Sequence, residues 1–251
     1  MGFLEQFNPG SGFRRYFKVR QAVSREDLET VFRVRHEVYC VELEFEATRP
    51  DGMESDAYDA HSLHCLLTTS GDDPRPVGCN RLVLADPDEP DRPLPFEHTC
   101  EHTLDRSIID PTKLSRRHIA EVSRLAVRAS YRRRRSDTKK SELSISDEDF
   151  GDRKQPRFPY VPVGLYMSAI YLAQRNDIEW LFVLTEPRLA AHFARLGVTI
   201  KQIGEPVEHR GKRMPSVMHV PTLVKELRWL LRQIFTVCKE DIDAEHARRS
   251  S

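Results

Sequence analysis

The chain has 251 residues, 39% of them hydrophobic and 31% charged, which suits a soluble globular protein with a core of useful size. Lysine plus arginine and aspartate plus glutamate number 39 each, so no overall field attracts nucleic acid and an anionic partner must be met by a local patch. Five irregularly spaced cysteines, no apolar leader in the first twenty residues and no stretch near the roughly 18 apolar residues that span a bilayer lead to the expectation of a cytoplasmic protein with free thiols.

Along the chain, Ser24 with Glu26, Asp27 and Glu29 behind it predicts a capped helix. Leu28, Val31, Phe32, Val38 and Tyr39 recur at helical spacing, and Arg35 falls on that apolar stripe rather than on the solvent face. Residues 44–60 are acidic and read as a surface loop. Ser62–Thr68 and Val77–Ala85 predict a hairpin of antiparallel strands, followed by a Pro- and Asp-rich excursion over 86–112 with one short helix. Ile119–Val127 is the most central-looking strand. The polar stretch 136–158 predicts a mobile loop. A helix beginning at Pro162, a buried strand over Glu179–Thr185 and a helix from Pro187 to Leu196 stopped by Gly197 come next. Strands near 198–203 and 214–220 and an amphipathic tail helix over Leu223–Val237 complete the pattern. The expectation is a single α/β domain over 1–251, with a mixed central sheet and helices on both faces.

Charges inside apolar elements carry the chemistry. Arg35 on its stripe either snorkels to water or meets carboxylates. Asp56 and Asp59 precede a strand, where aspartates ordinarily form turns and caps. Alternation places Arg81 on the face of Cys79 and Val83, in the middle of the hairpin. Glu121, Ser123 and Arg124 lie inside the central strand; strict alternation separates Arg124 from the other two, and a β-bulge would rejoin them. A salt-bridge network joining Arg35, Arg81 and Arg124 to Asp56, Asp59 and Glu121 would satisfy these charges without catalysis. An active site would use them too.

The blocks Arg35-x-x-x-Tyr39, Asp56-x-x-Asp59, Gly78-Cys79-x-Arg81 and Glu121-Val122-Ser123-Arg124 resemble, in order and spacing, the acyl-homoserine-lactone (autoinducer) synthase family. RVRHEVYCVELEFE, YDAHSLHCLL, LPFE, EVSRLAV and HRGKRMP resemble a related group, the N-acyl amino acid synthase-like acyltransferases associated with the PEP-CTERM/exosortase system. The resemblance implies a GNAT-like acyltransferase fold, an acyl-thioester donor and an amine acceptor. It implies that Arg35, Tyr39, Asp56, Asp59 and Arg81 line the acceptor pocket, with Glu121, Ser123 and Arg124 at the catalytic centre and Glu121 the base. Tyr39 replaces the family's usual phenylalanine, and the tryptophan expected a few residues later is absent. Those departures point away from S-adenosylmethionine and toward a plain amino acid as acceptor.

Glu121, with a pKa raised by burial, is expected to deprotonate the amine directly or through water, and backbone N–H groups at Ala126 and Val127 to hold the oxyanion. RASYRRRRSD follows the central strand with no glycine to cradle a pyrophosphate, and the run Arg132, Arg133, Arg134 and Arg135 either suits an acidic acyl carrier protein bearing phosphopantetheine or is a solvated charge run. The acyl-phosphopantetheine thioester, on carrier protein or CoA, is then a co-substrate, with no tightly bound cofactor. His98, Cys100 and His102 alternate and on a strand could point one way, as could His61 and Cys65, but neither set has paired zinc spacing and no metal is expected. The tail helix is read as packed on the core, with peripheral membrane contact the lesser reading. A lactone-type signal synthase and a non-catalytic acyl- or carrier-binding module are the alternatives to an N-acyl amino acid synthase.

Overall fold

The computed structural model describes residues 8–132 and 160–250. Two elements stand ahead of the first predicted one. The Asn8 side chain accepts the Gly10 and Ser11 N–H groups and starts helix α1 (Pro9–Tyr16), which leads directly into strand β1 (Phe17–Ala22). In β1, Phe17 and Val19 are buried while Lys18 is exposed. Basic residues at every second position mask a half-buried strand in sequence.

Helix α2 (Arg25–His36) begins as expected, with Ser24 Oγ accepting the Asp27 N–H at 3.1 Å. It does not stay α-helical to Tyr39. Glu37–Glu42 form a π-helical turn, a form often found at functional sites. A 3-10 turn (Ala57–His61) then leads into β2 (Ser62–Thr69), which pairs antiparallel with β3 (Pro76–Leu84). The short helix of the excursion is α3 (Pro95–Thr99). Pro95 opens it and Glu97 closes it back by accepting the Leu94 N–H at 2.8 Å, so His98 lies on a helix with Cys100 and His102 just beyond. The strand reading of those three residues is thereby corrected. Among the described residues no cluster of three or more His, Cys, Asp or Glu side chains is placed to hold a metal.

Strand β4 (Ile119–Val127) and the short α4 (Ala129–Arg132) come next; the predicted loop 136–158 lies outside the described residues. Helix α5 (Tyr160–Arg175) has Pro162 in its first turn and is buried continuously from Val161 to Ala173. Strand β5 (Trp180–Thr185) and helix α6 (Pro187–Leu196) follow, the latter ended by Gly197 at φ +84°. Then come β6 (Lys201–Gln202), β7 (Val207–Glu208) and β8 (Lys212–His219). The tail is two helices rather than one, α7 (Val220–Glu226) and α8 (Trp229–Ser250). Arg232 donates to the Lys225 and Leu227 carbonyls at 2.9 and 3.2 Å and closes the end of α7, which is why the amphipathic stripe breaks there. Among the described residues no helix is long and apolar enough to cross a membrane.

The sheet runs β1-β2-β3-β4-β5-β8-β6, with β7 paired to β8 and β4 in the middle, as its composition suggested. β4 and β5 are parallel and the other pairs antiparallel, so the sheet is mixed. On one face α1, α5, α7 and α8 bury the main core. The opposite face carries two smaller apolar clusters: one under α2, with Val31, Val34, Cys79 and Ala126, and one under α3, with Val83, Phe96, Ile119 and Phe182. Between these clusters, on β3 and β4, lie Arg81, Glu121 and Ser123.

Gly78 shows how closely β3 and β4 approach beside them. A Cβ there would lie 2.6 Å from the Ala126 carbonyl oxygen, which is backbone and cannot step aside. Gly78→Ala should therefore cost about 1–3 kcal/mol of stability, read as a lower urea midpoint at unchanged m-value.

Candidate active site

Five of the charged residues singled out in sequence meet on that face, and a sixth joins them. Arg35 Nε donates to Glu54 Oε2 at 2.5 Å and its Nη1 to Asp59 Oδ1 at 2.7 Å. Arg81 Nη1 donates to Asp59 Oδ1 at 2.8 Å and to Asp56 Oδ1 at 2.6 Å. Arg124 Nη2 donates to Asp56 Oδ2 at 2.9 Å, and its Nε returns to Glu54 Oε1 at 3.2 Å. Charges of opposite sign thus alternate around a closed ring: Arg35, Glu54, Arg124, Asp56, Arg81, Asp59. Arg35 and Arg81 are 0% and 1% exposed, so the snorkelling reading of Arg35 is excluded.

Local structure sets each member. Asp56 is both a ring member and the cap of the 3-10 turn, accepting the Tyr58 N–H at 2.9 Å, while Asp59 Oδ2 accepts the Asp56 N–H at 2.7 Å. The turn-forming and charge-pairing readings of these aspartates both hold. On β4 the register against β3 shifts between the Cys79–Ala126 and Arg81–Ser123 pairs, and Arg124 sits at φ +52°. This bulge turns the Arg124 side chain onto the face of Ser123, which strict alternation would forbid, at a backbone cost of about 1–2 kcal/mol. Ser123 Oγ accepts from Arg81 Nε at 3.1 Å. Tyr39 donates its hydroxyl to the Leu125 carbonyl at 2.7 Å, tying the π-helical turn to the bulge.

Burial opposes charge on Arg35, yet Glu54 and Asp59 outweigh it and hold its pKa above the ordinary range. Burial likewise acts to raise Glu54, Asp56 and Asp59, and the facing guanidiniums carry all three below the usual carboxylate range. His64, beneath the ring and 3.7 Å from Asp59 Oδ1, is pushed down to about 4 by burial and is neutral.

Glu121 stands outside the ring, so the network written from sequence is corrected in one member: Glu54, not Glu121, is the third carboxylate. Glu54 went unnoticed in GMESD because it lies in an acidic, loop-like segment with no apolar periodicity to make it stand out. Among the described residues, Glu121 Oε2 accepts the Phe96 N–H at 2.7 Å and no guanidinium bonds it. It is 3% exposed, and burial lifts its pKa to about 7, against smaller opposing effects of that hydrogen bond and of Arg81.

Beyond the Val122–Val183 pair β4 and β5 part, and a cavity of about 350 Å³ opens between them. Tyr39, Asp56, Arg81, Glu121, Ser123 and Arg124 line its charged end. Leu125, Tyr166, Val183, Leu184 and Leu189 line an apolar part. Tyr58, His98, Glu186, His209, Arg210 and Arg213 also line it and were not picked out as site residues, although Arg210 and Arg213 lie in the HRGKRMP block. Arg35 and Asp59 sit behind the wall. Ala126 packs against α2 and Val127 against the main core, one step past the lining residue Leu125. Arg132 pairs with Glu42, whose carboxylate also accepts the Ala129 N–H at 2.9 Å, away from the cavity. Arg133, Arg134 and Arg135 lie outside the described residues.

This arrangement, a mixed sheet whose central parallel strands part around a cavity, is the GNAT acetyltransferase-like fold. A family model described as an acetyltransferase (GNAT) domain matches residues 34–139. Solved structures give the same answer. The acyl-homoserine-lactone synthase LasI superposes with a TM-score of 0.54 at 16% identity, covering 84% of this chain and 95% of its own. BjaI, a CoA-dependent acyl-homoserine lactone synthase solved with S-adenosylmethionine and isopentyl-CoA, does so at 0.55 and 19%, covering 90% and 89%. FeeM, an N-acyl amino acid synthase from uncultured soil microbes, does so at 0.53 and 13%, covering 85% and 96%. At these identities the likeness defines the fold. No curated protein sequence matches.

Glu54→Gln leaves the buried Arg35 and the half-buried Arg124 short of a charge and should cost about 3–5 kcal/mol, whereas Glu46→Gln, in an outer and partly exposed pair, should cost about 1 kcal/mol or less; denaturant melts of both variants check the contrast. Glu121 makes a pH-dependent contribution of its own. Its folded pKa is about 7 against 4.5 for the free group, so folding is favoured below about pH 4.5, loses up to about 3 kcal/mol as pH rises to 7, and is flat above. Glu121→Gln removes that loss. The variant should gain on the parent between pH 4.5 and 7, and a constant stability difference across that window would refute the raised pKa.

Proposed function

We propose that the chain is an acyl-thioester-dependent N-acyltransferase that moves a fatty acyl group to an α-amine in this cavity. The observation carrying the proposal is Glu121: a buried carboxyl poised near neutral pH, facing a cavity beside guanidiniums, where the two central strands part. In this reading Glu121 takes a proton from the acceptor ammonium, directly or through a water. The amine adds to the thioester carbonyl, forming the C–N bond, and the C–S bond breaks as the donor leaves as its thiol. Arg128 N–H bonds the Val77 carbonyl, so strand alternation turns the Val127 N–H away from β3, toward the side that β5 has left. That favours Val127 over Ala126 as the donor to the oxyanion. Tyr39, Asp56, Arg81, Ser123 and Arg124 shape the acceptor end, and Arg35 and Asp59 support it from behind.

For the acceptor, the comparisons lend more support to a lactone-type signal synthase using S-adenosylmethionine than to the amino acid acceptor suggested by Tyr39 and the missing tryptophan. LasI and BjaI are lactone synthases, while FeeM keeps the amino acid reading in view. For the donor, the CoA dependence of BjaI and MesI favours acyl-CoA over acyl carrier protein. A cytoplasmic setting, read from the five free cysteines, and a tie to the exosortase-associated group, read from the sequence blocks, are part of the proposal.

The test supplies long-chain acyl-CoA or acyl carrier protein with either S-adenosylmethionine or an amino acid pool, and reads products by mass spectrometry. An acyl-homoserine lactone or an N-acyl amino acid is expected. Glu121→Gln should lower single-turnover transfer by about 100-fold or more at neutral pH. Bound but unreacted thioester in every combination would leave a non-catalytic acyl-binding module instead.

A further inference from the structure

One carboxylate joins two of the arginines that line the cavity. Glu46 pairs with Arg210 and lies 3.9 Å from Arg124 Nη2, so two guanidiniums flank it. Its side chain is 30% exposed and that of Arg210 27%; Asp56 in the ring is nearly as open at 26%, but it is also held by Arg81 and by the Tyr58 N–H. Solvent screening makes such an outer pair worth about 1 kcal/mol or less, while breaking a ring pair costs about 3–5. Glu46 is therefore the carboxylate on these arginines that an incoming anion can replace cheaply.

The surroundings suit an exchange of this kind. The backbone around Glu46 is anchored, with the Phe45 and Glu46 N–H groups donating to the Tyr39 carbonyl at 2.8 and 3.1 Å, so a side-chain rotation is enough to vacate the place. Arg210 is held as well. It occupies the turn before β8 at φ +53°, next to Gly211 at φ +93°, and its carbonyl accepts from Arg213 Nη2 at 2.9 Å. Arg213 is itself pinned by Glu186 at 2.8 Å. A pair of guanidiniums, one fixed by a bulge and one by a braced turn, forms a clamp for a planar carboxylate.

We propose that Glu46 is a stand-in for the acceptor's carboxylate, which displaces it and binds between Arg124 and Arg210, making Arg210 a determinant of specificity for carboxylate-bearing amines. This rests on the acyltransferase reading, and it deepens that reading. Arg124 already serves Glu54 and Asp56, so recognition turns on Arg210, an outer arginine whose partner can leave. Glu121, lining the same cavity outside the ring, is then a carboxyl group open to the acceptor's ammonium. S-adenosylmethionine and a free amino acid share the carboxylate and are separated only by the choice of probe.

Binding measured by calorimetry without any acyl donor tests this. The probes are S-adenosylmethionine against its decarboxylated form, and each of the twenty L-amino acids that binds against its amide. The parent protein should prefer the carboxylate-bearing member of a pair. Arg210→Met should weaken that member about tenfold or more and leave the other unchanged, and Glu46→Gln should tighten it several-fold. Equal effects on both members, weaker binding in Glu46→Gln, or no carboxylate-bearing ligand bound by the parent protein would each overturn the proposal. Arg210-dependent binding without acyl transfer in the product assay would instead sink the acyltransferase reading and leave the clamp standing.

Discussion

Burying Arg35, Arg81 and Glu54 and half-burying three more charges is tolerable here only because each has two partners of opposite sign. In the ring Arg35–Glu54–Arg124–Asp56–Arg81–Asp59 every guanidinium bridges two carboxylates and every carboxylate two guanidiniums, and the net charge is zero. A ring of this kind cannot lose one member cheaply, so it fixes everything that delivers its members. It holds the acidic segment carrying Glu54, Asp56 and Asp59 against the sheet, keeps α2 seated through Arg35, and retains Arg124 in a left-handed backbone conformation that its own side chain would otherwise avoid.

That completeness also decides which groups remain for chemistry. With its arginines spoken for, the ring offers no direct partner to Glu121, which sits a few residues along the same strand with a single backbone hydrogen bond. Desolvation then outweighs the Phe96 hydrogen bond and the pull of Arg81 and Arg124, and the carboxyl titrates near neutrality instead of near 4. At the other edge, Glu46 and Arg210 repeat the same kind of pairing where water screens it, which turns a structural contact into an exchangeable one.

The cavity itself comes from the sheet. Parallel pairing of β4 with β5 ends at Val122–Val183, and the bulge at Arg124 falls immediately after it. The residue that breaks the ladder thus belongs to the ring as well, and one local distortion both opens the space and lines it with charge.

Several elements could be read directly from the residues. The Ser24 cap, the β2–β3 hairpin, the limits of β4 and of α6, and the stop at Gly197 follow from local periodicity and turn chemistry, which act over a few residues and leave a pattern in them. Arg35 and Arg81 were conspicuous for the same reason, as charges on apolar faces. β1 was hidden by its alternating basic residues, and the tail helix read over Leu223–Val237 merged the end of one helix with the start of another that runs on to Ser250, the break being closed by Arg232 from a later turn. The sequence by itself determined that Arg81 and Glu121 fall inside apolar strands. Only the tertiary structure decided that Glu54 completes the ring and Glu121 stays out of it, that a bulge swings Arg124 around, and that Arg210 meets Glu46 from 164 positions away. These outcomes depend on which carboxylate reaches which guanidinium in three dimensions, and no local pattern encodes that distance.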